Sequence, residues 1–178
     1  MIFQETKLKG AYIIDPERLE DERGFFTRTW CQQEFLEHGL NPQLVQCNLS
    51  YNHKKGTFRG MHYQRAPYEE AKLVQCSRGA IQDIIIDLRC DSPTFKKHIA
   101  VILTADSRKM LYVPERFAHG FITLEDDTEI FYQMSEFYSA ESASGFRWND
   151  PAFGIQLPLK VVVISERDQN YPDFRLEP

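Results

Sequence analysis

Phe58-Arg59-Gly60-Met61-His62-Tyr63-Gln64, followed eight residues later by Lys72-Leu73-Val74, is the stretch from which the rest of the chain is read. An arginine, a histidine and a lysine fall within fourteen residues on what reads as strand. Strict alternation puts His62 on one face with Phe58 and Gly60. A glycine inside a strand marks close backbone approach or a bulge, which re-aims neighbouring side chains. Taken alone, the heptapeptide is equally a core histidine with two solvated cations. The stretches around it decide between that reading and a functional one.

Working outward, the pattern is β almost throughout. Upstream, residues 2–14 read as strand with a Lys-Gly interruption, ended by Asp15-Pro16. Asp21-Glu22-Arg23-Gly24 is a turn into the strand-like aromatic run 25–30. The one helix spans 32–38, with Gly39 in the position that favours a left-handed residue. A strand over 44–50 and the loop 52–56 lead into the central stretch. Downstream, strands are expected over 71–76, 80–88, 97–103, 109–113, 121–124 and 128–137, separated by turn residues. Ile84-Ile85-Ile86 is apolar on both faces and suits a strand covered on each side. The tail is loop-rich: an apolar run over 161–164 precedes Ser165-Glu166-Arg167-Asp168, which by itself reads as a solvated loop. Short strands at 8–12-residue spacing predict a sandwich or barrel.

The 178 residues suit one domain with a sizeable core. The net charge of -5, without a basic run, speaks against a nucleic-acid partner. An acidic chain still holds an anion in a local cationic pocket, and Arg23, Arg59 and Lys72 are candidates for one. Cys31, Cys47, Cys76 and Cys90 form no Cys-x-x-Cys pair and read most simply as reduced thiols of a cytoplasmic protein. The N-terminus lacks a signal-peptide apolar region, and no apolar run is long enough to span a membrane.

A second histidine stretch is Val113-Pro114-Glu115-Arg116-Phe117-Ala118-His119-Gly120-Phe121, a turn that delivers His119 to a strand. Gly56, with five residues between it and His62, and this segment resemble the two half-motifs of the cupin superfamily, Gly-(x)5-His-x-His and Pro-x-Gly-x-x-His. Gln64 and Arg116 stand where those motifs carry a histidine and a glycine. His62 and His119 are two ligands where a catalytic metal generally needs three, so a metal-dependent activity is disfavoured.

A closer resemblance covers nearly the whole chain. Asp21-Glu22-Arg23-Gly24-Phe25-Phe26, Arg59 through Gln64, Lys72-Leu73-Val74, Asp87-Leu88-Arg89, Ser92-Pro93-Thr94-Phe95, Pro114 through Phe121, Trp148-Asn149-Asp150 and Ser165-Glu166-Arg167-Asp168 occur in that order. Together they resemble the dTDP-4-dehydrorhamnose 3,5-epimerase family, metal-free sugar-nucleotide epimerases of the cupin superfamily. The resemblance implies an all-β, cupin-type jelly-roll β-barrel with short peripheral helices, and no cofactor. It implies a nucleotide-linked 4-keto-6-deoxy hexose as substrate, epimerised at C3, C5 or both, and a homodimer that exchanges N-terminal strands.

A 4-keto group acidifies the hydrogens on C3 and C5, so epimerisation needs a base on one face, an acid on the other and donors at the enolate oxygen. By the resemblance His62 is the base, Asp168 its orienting carboxylate, Lys72 the enolate partner and Tyr132 the acid, tuned by the nearby lysine. His119 becomes a donor near the 4-oxygen; without the resemblance it simply anchors the Pro114 turn. Arg59, then Arg23, suit the diphosphate. Gln46 and Asn48 are nucleotide contacts, Phe26 or Phe25 flanks the base, and Tyr138 lines the site. The chain departs from the family at Arg28, Glu70-Ala71 and Gln133, where a Glu, Gln-Gly and Lys are common. These departures leave the base, the sugar and the number of centres inverted open. A single-centre epimerase, a metal-dependent cupin and a non-catalytic sugar-nucleotide-binding barrel are the alternatives.

Overall fold

In the structure, a computed structural model, residues 1–176 are described. Glu177 and Pro178, the end of the domain drawn at 1–178, lie outside the described residues. The chain runs through β1 (Ile2–Glu5), β2 (Tyr12–Asp15), β3 (Leu19–Asp21), β4 (Gly24–Phe26) and α1 (Gln32–Glu37). Then follow β5 (Gln46–Asn52), β6 (Phe58–Gln64), β7 (Lys72–Arg78), β8 (Ala80–Asp87), β9 (His98–Thr104), β10 (Met110–Val113), β11 (Phe117–Thr123), β12 (Thr128–Met134), β13 (Ala143–Gly145) and α2 (Glu166–Asn170).

Two antiparallel sheets face each other. One has the order β1-β2-β10-β7-β12-β5, the other β13-β6-β11-β8-β9. Val74, Cys76, Leu111 and Ile130 of the first pack against Ile81, Ile85, Leu103, Phe117 and Phe121 of the second. The result is the all-β jelly roll that the resemblance implies. Ile84 and Ile86 point the other way, into a cluster roofed by Phe146, Phe153 and the 155–164 segment, so β8 is covered on both faces as its unbroken apolar run requires. Helix α1 lies over the outer face of the first sheet, where Phe35 meets Ile14, Leu73 and Tyr112. It ends at Gly39, whose φ of +68° is the left-handed turn expected there.

Three expectations change. Phe58, Gly60 and His62 do not share a face. Phe58 and Met61 both enter the outer cluster, whereas Arg59 and His62 both open into the interior cleft. The cause is the register shift between β6 and β11 around Gly120. There a Cβ on Gly60 would sit 2.5 Å from the Gly120 Cα, so only glycine admits the approach. The aromatic run 25–30 forms strand only over Gly24–Phe26, a hairpin with Leu19–Asp21 that stands off the barrel with all six residues exposed. The Ser-Glu-Arg-Asp stretch is no loop: Ser165 accepts the Asp168 N–H at 3.1 Å and caps α2. Within the chain the N-terminal segment enters the first sheet, β1 pairing with β2 and β2 with β10, and β1 forms that sheet's edge.

Candidate active site

Between the two sheets opens a cleft of about 680 Å³, continuous with a second chamber of about 320 Å³. His62, Lys72, Tyr132 and Arg167 line both chambers. His62 comes from β6 on one sheet; Lys72 and Tyr132 come from β7 and β12 on the other. The imidazole and the phenol thus line one cleft from different sheets.

His62 Nε2 lies 2.8 Å from Asp168 Oδ1, and Asp168 Oδ2 accepts the Gly60 N–H at 3.2 Å. Burial alone would push the Asp168 carboxyl up. Hydrogen bonds from His62, Gly60 and Ser165, with the imidazole's charge, outweigh it and hold the carboxyl below the usual value. An ionised carboxylate there takes the Nε2–H and leaves Nδ1 as the basic nitrogen. The Asp168 side chain is 6% exposed while the His62 side chain is 42% exposed, so the carboxylate is sheltered and the imidazole is reachable.

His119, opposite His62 in the register of β11 on β6, repeats the arrangement. Its Nε2 lies 2.6 Å from Oδ1 of the fully buried Asp83. Lys72 is paired with Glu70, both sunk in the wall. Burial pushes the Tyr132 phenol up, Arg59 opposes this and Glu70 adds to it. Tyr132 thus stays a protonated phenol at neutral pH.

Arg59 donates Nε–H to Asn52 Oδ1 at 2.8 Å and faces the larger chamber. Gln46, Asn48 and Tyr138 line the smaller one. There Gln46 Nε2 donates to Asn48 Oδ1 at 3.0 Å, and Gln46 Oε1 accepts the Tyr138 N–H at 3.1 Å. The structure does not bring Arg23 or Phe26 to this cleft. They sit on the β3–β4 hairpin, where Arg23 closes back on Asp21 and Phe26 is 68% exposed. The hairpin carries too few buried contacts to fold them inward.

Asp83, Glu70 and Arg167 are site residues that reasoning from the sequence missed. A signal existed for Asp83, because a lone carboxylate in the apolar strand Ile81-Gln82-Asp83-Ile84 demands a buried partner. Among the described residues, no three His, Cys, Asp or Glu side chains gather as a metal-binding set.

Fold and site together define a jelly-roll isomerase of the epimerase class, which moves protons on carbon. A sequence model of the family described as dTDP-4-dehydrorhamnose 3,5-epimerase matches residues 5–175. The chain is 41% identical to the dTDP-4-dehydrorhamnose 3,5-epimerase of Methanothermobacter thermautotrophicus, over 99% of this chain and 96% of the relative. The crystal structure of the Elizabethkingia anophelis enzyme superposes with a TM-score of 0.95 at 38% identity, covering 98% of this chain and 96% of that one. That of the Bacillus anthracis enzyme, with TDP and PPi bound, gives 0.93 at 40% identity, covering 97% and 99%. The chain belongs to the dTDP-4-dehydrorhamnose 3,5-epimerase family.

Proposed function

We propose that the protein epimerises a dTDP-linked 4-keto-6-deoxy hexose at C3 and C5, in deoxysugar biosynthesis of the rhamnose type. The observation that carries this reading is the placement of His62 and Tyr132 on opposing sheets across one cleft, with Lys72 beside them. His62 Nδ1 takes the hydrogen from the carbon next to the ketone as a proton. The electron pair left behind forms the C=C bond and moves the carbonyl electrons onto the 4-oxygen. Lys72 and His119 hold that enolate oxygen. Tyr132 then delivers a proton to the carbon from the other face, and the pair of groups is reset by exchange with water. The ketone already activates both carbons, so the reaction calls on no cofactor and no metal.

The diphosphate lies by Arg59, and Gln46, Asn48 and Tyr138 contact the remainder of the nucleotide sugar. The substrate in the relatives' names and the TDP in the Bacillus anthracis structure support thymidine as the nucleoside. The whole chain acts as one domain in a homodimer. In that dimer Arg23 and Phe26, exposed on the hairpin, complete a partner's cleft rather than their own. A cytoplasmic setting accords with four free cysteines.

Incubation with dTDP-4-keto-6-deoxyglucose in heavy water, followed by NMR at C3 and C5, tests the reading. Deuterium and inversion at both carbons are expected. Deuterium at one carbon makes the protein a single-centre epimerase, and deuterium at neither, with any nucleotide 4-keto sugar, sinks the assignment. His62→Ala should abolish exchange and inversion alike. Tyr132→Phe should keep exchange with retention while inversion falls about 10²–10⁴-fold, the loss typical of a general acid. Inversion at the wild-type rate in Tyr132→Phe would place the acid elsewhere.

A further inference from the structure

Glu70 is a buried carboxylate that the proposed proton transfers do not use. It precedes β7 by two residues, and Ser135 clamps the intervening Ala71 from both sides. The Ala71 N–H donates to Ser135 Oγ at 2.8 Å, and the Ser135 N–H donates to the Ala71 carbonyl at 3.0 Å. This fixes Glu70 and Lys72 against β12, where Lys72 stands in register with Met134 and Tyr132 with Val74. Glu70 Oε1 receives the Lys72 ammonium, with side-chain exposures of 4% and 9%. Glu70 Oε2 is shut off from solvent and has no hydrogen-bond partner among the described residues. The carboxylate therefore spends its charge on Lys72.

The charges around Tyr132 make that pairing matter. From β6 come Arg59 and His62, the latter backed by Asp168. From β11 comes His119, backed by Asp83. Helix α2 presents Arg167, and Tyr138 follows β12. Both histidines already own a carboxylate. Among the described residues Lys72 has only Glu70. An ammonium in a dry wall without a counter-ion favours ionisation of a neighbouring phenol. The same carboxylate adds to the upward push that burial gives the Tyr132 phenol.

We infer that Glu70 is a positioning residue: it pins the Lys72 ammonium at the cleft and cancels its charge, so that Tyr132 remains a phenol over a wider pH range. The inference rests on the proposed reading only in giving Tyr132 the acid's role. The electrostatic link itself is read without turnover.

Tyrosinate absorbance of the full-length protein is titrated, and the curve of Tyr132→Phe is subtracted to isolate Tyr132. In Glu70→Gln, which keeps the shape and loses the charge, the midpoint should fall by about one pH unit. Lys72→Gln leaves Glu70 unopposed and should raise it. The double variant removes a neutral pair and should return the midpoint to the wild-type value. Glu70→Asp, which keeps the charge, should also lie near wild type. An unchanged midpoint in Glu70→Gln overturns the inference; if that variant does not fold, an unchanged midpoint in Lys72→Gln does so. The alkaline fall of the inversion rate should shift with the midpoint. A midpoint that moves while Tyr132→Phe still inverts at full rate keeps the charge link and overturns the acid assignment instead.

Discussion

Asp168 serves the site through both of its oxygens. One fixes the tautomer of His62, and the other ties the carboxylate to the Gly60 backbone on the strand that carries His62. The imidazole and the carboxylate are thus held to a common piece of main chain. Asp168→Asn keeps the shape and removes the anion that would stabilise the imidazolium. Exchange and inversion should fall together, by roughly 10²–10⁴-fold, because both begin with the same proton abstraction. Separate rates for deuterium uptake and inverted product check this. A variant that loses inversion and keeps exchange would place Asp168 with the acid. The sign for folding follows from the lowered carboxyl. Its stabilising contribution is present above the unfolded value near pH 4 and disappears as pH falls through the folded value.

At the scale of elements, the connection from β8 to β9 shows how a sharp turn is held at the end of a buried strand. Asp87 ends β8, fully buried. It accepts from Arg89 Nε at 2.9 Å, from Ser92 Oγ at 2.5 Å and from Thr94 Oγ1 at 2.6 Å. Arg89 reaches on to the Lys9 carbonyl at 2.6 Å and lies over the Phe117 ring, which ties the turn to the N-terminal segment and to β11. Burial would raise the Asp87 carboxyl, but these donors win and bring it down to about 2. A carboxyl held that far below its usual value contributes roughly 2 kcal/mol of stability at neutral pH. The contribution is complete above about pH 4 and is lost as pH falls toward about 2. Asp87→Asn should unfold at lower denaturant at pH 7, and its stability should vary less between pH 4 and 2 than that of wild type. Equal acid sensitivity in the two proteins would show that Asp87 is not what couples this turn to pH.

For the molecule as a whole, the apolar residues left outside define the question. Leu19 and Phe26 on the hairpin are each 68% exposed, and Leu49 on the edge strand β5 is 59% exposed. Exposed apolar residues and an open strand edge are what an isologous interface covers. Light scattering at micromolar concentration should return twice the 20.9 kDa of the chain. A species of one chain's mass would remove the dimer from the reading. Among the described residues Arg23 bonds only to its neighbour Asp21, so Arg23→Ala should leave the fold intact. If Arg23 serves a partner's cleft, KM should rise by about tenfold or more with kcat nearly unchanged, the loss of one charge-assisted contact to phosphate.

Local features of the sequence determined the all-β class, most of the strands, the short helix and its glycine stop, because alternation and turn chemistry act within a few residues. The ordered motifs also named His62, Lys72, Tyr132, His119 and Asp168 before any contact was known. Tertiary structure alone decided which of these meet. Asp168 lies 106 residues from His62, and only the capped turn at Ser165 brings the carboxylate to the imidazole. The face on which His62 sits depended on a register shift forced where Gly60 and Gly120 cross, and no single strand encodes a contact between two strands. The pairing of Asp83 with His119 and of Glu70 with Lys72 was hidden for the same reason. A buried charge is defined by the partner that neutralises it, and that partner belongs to the folded chain.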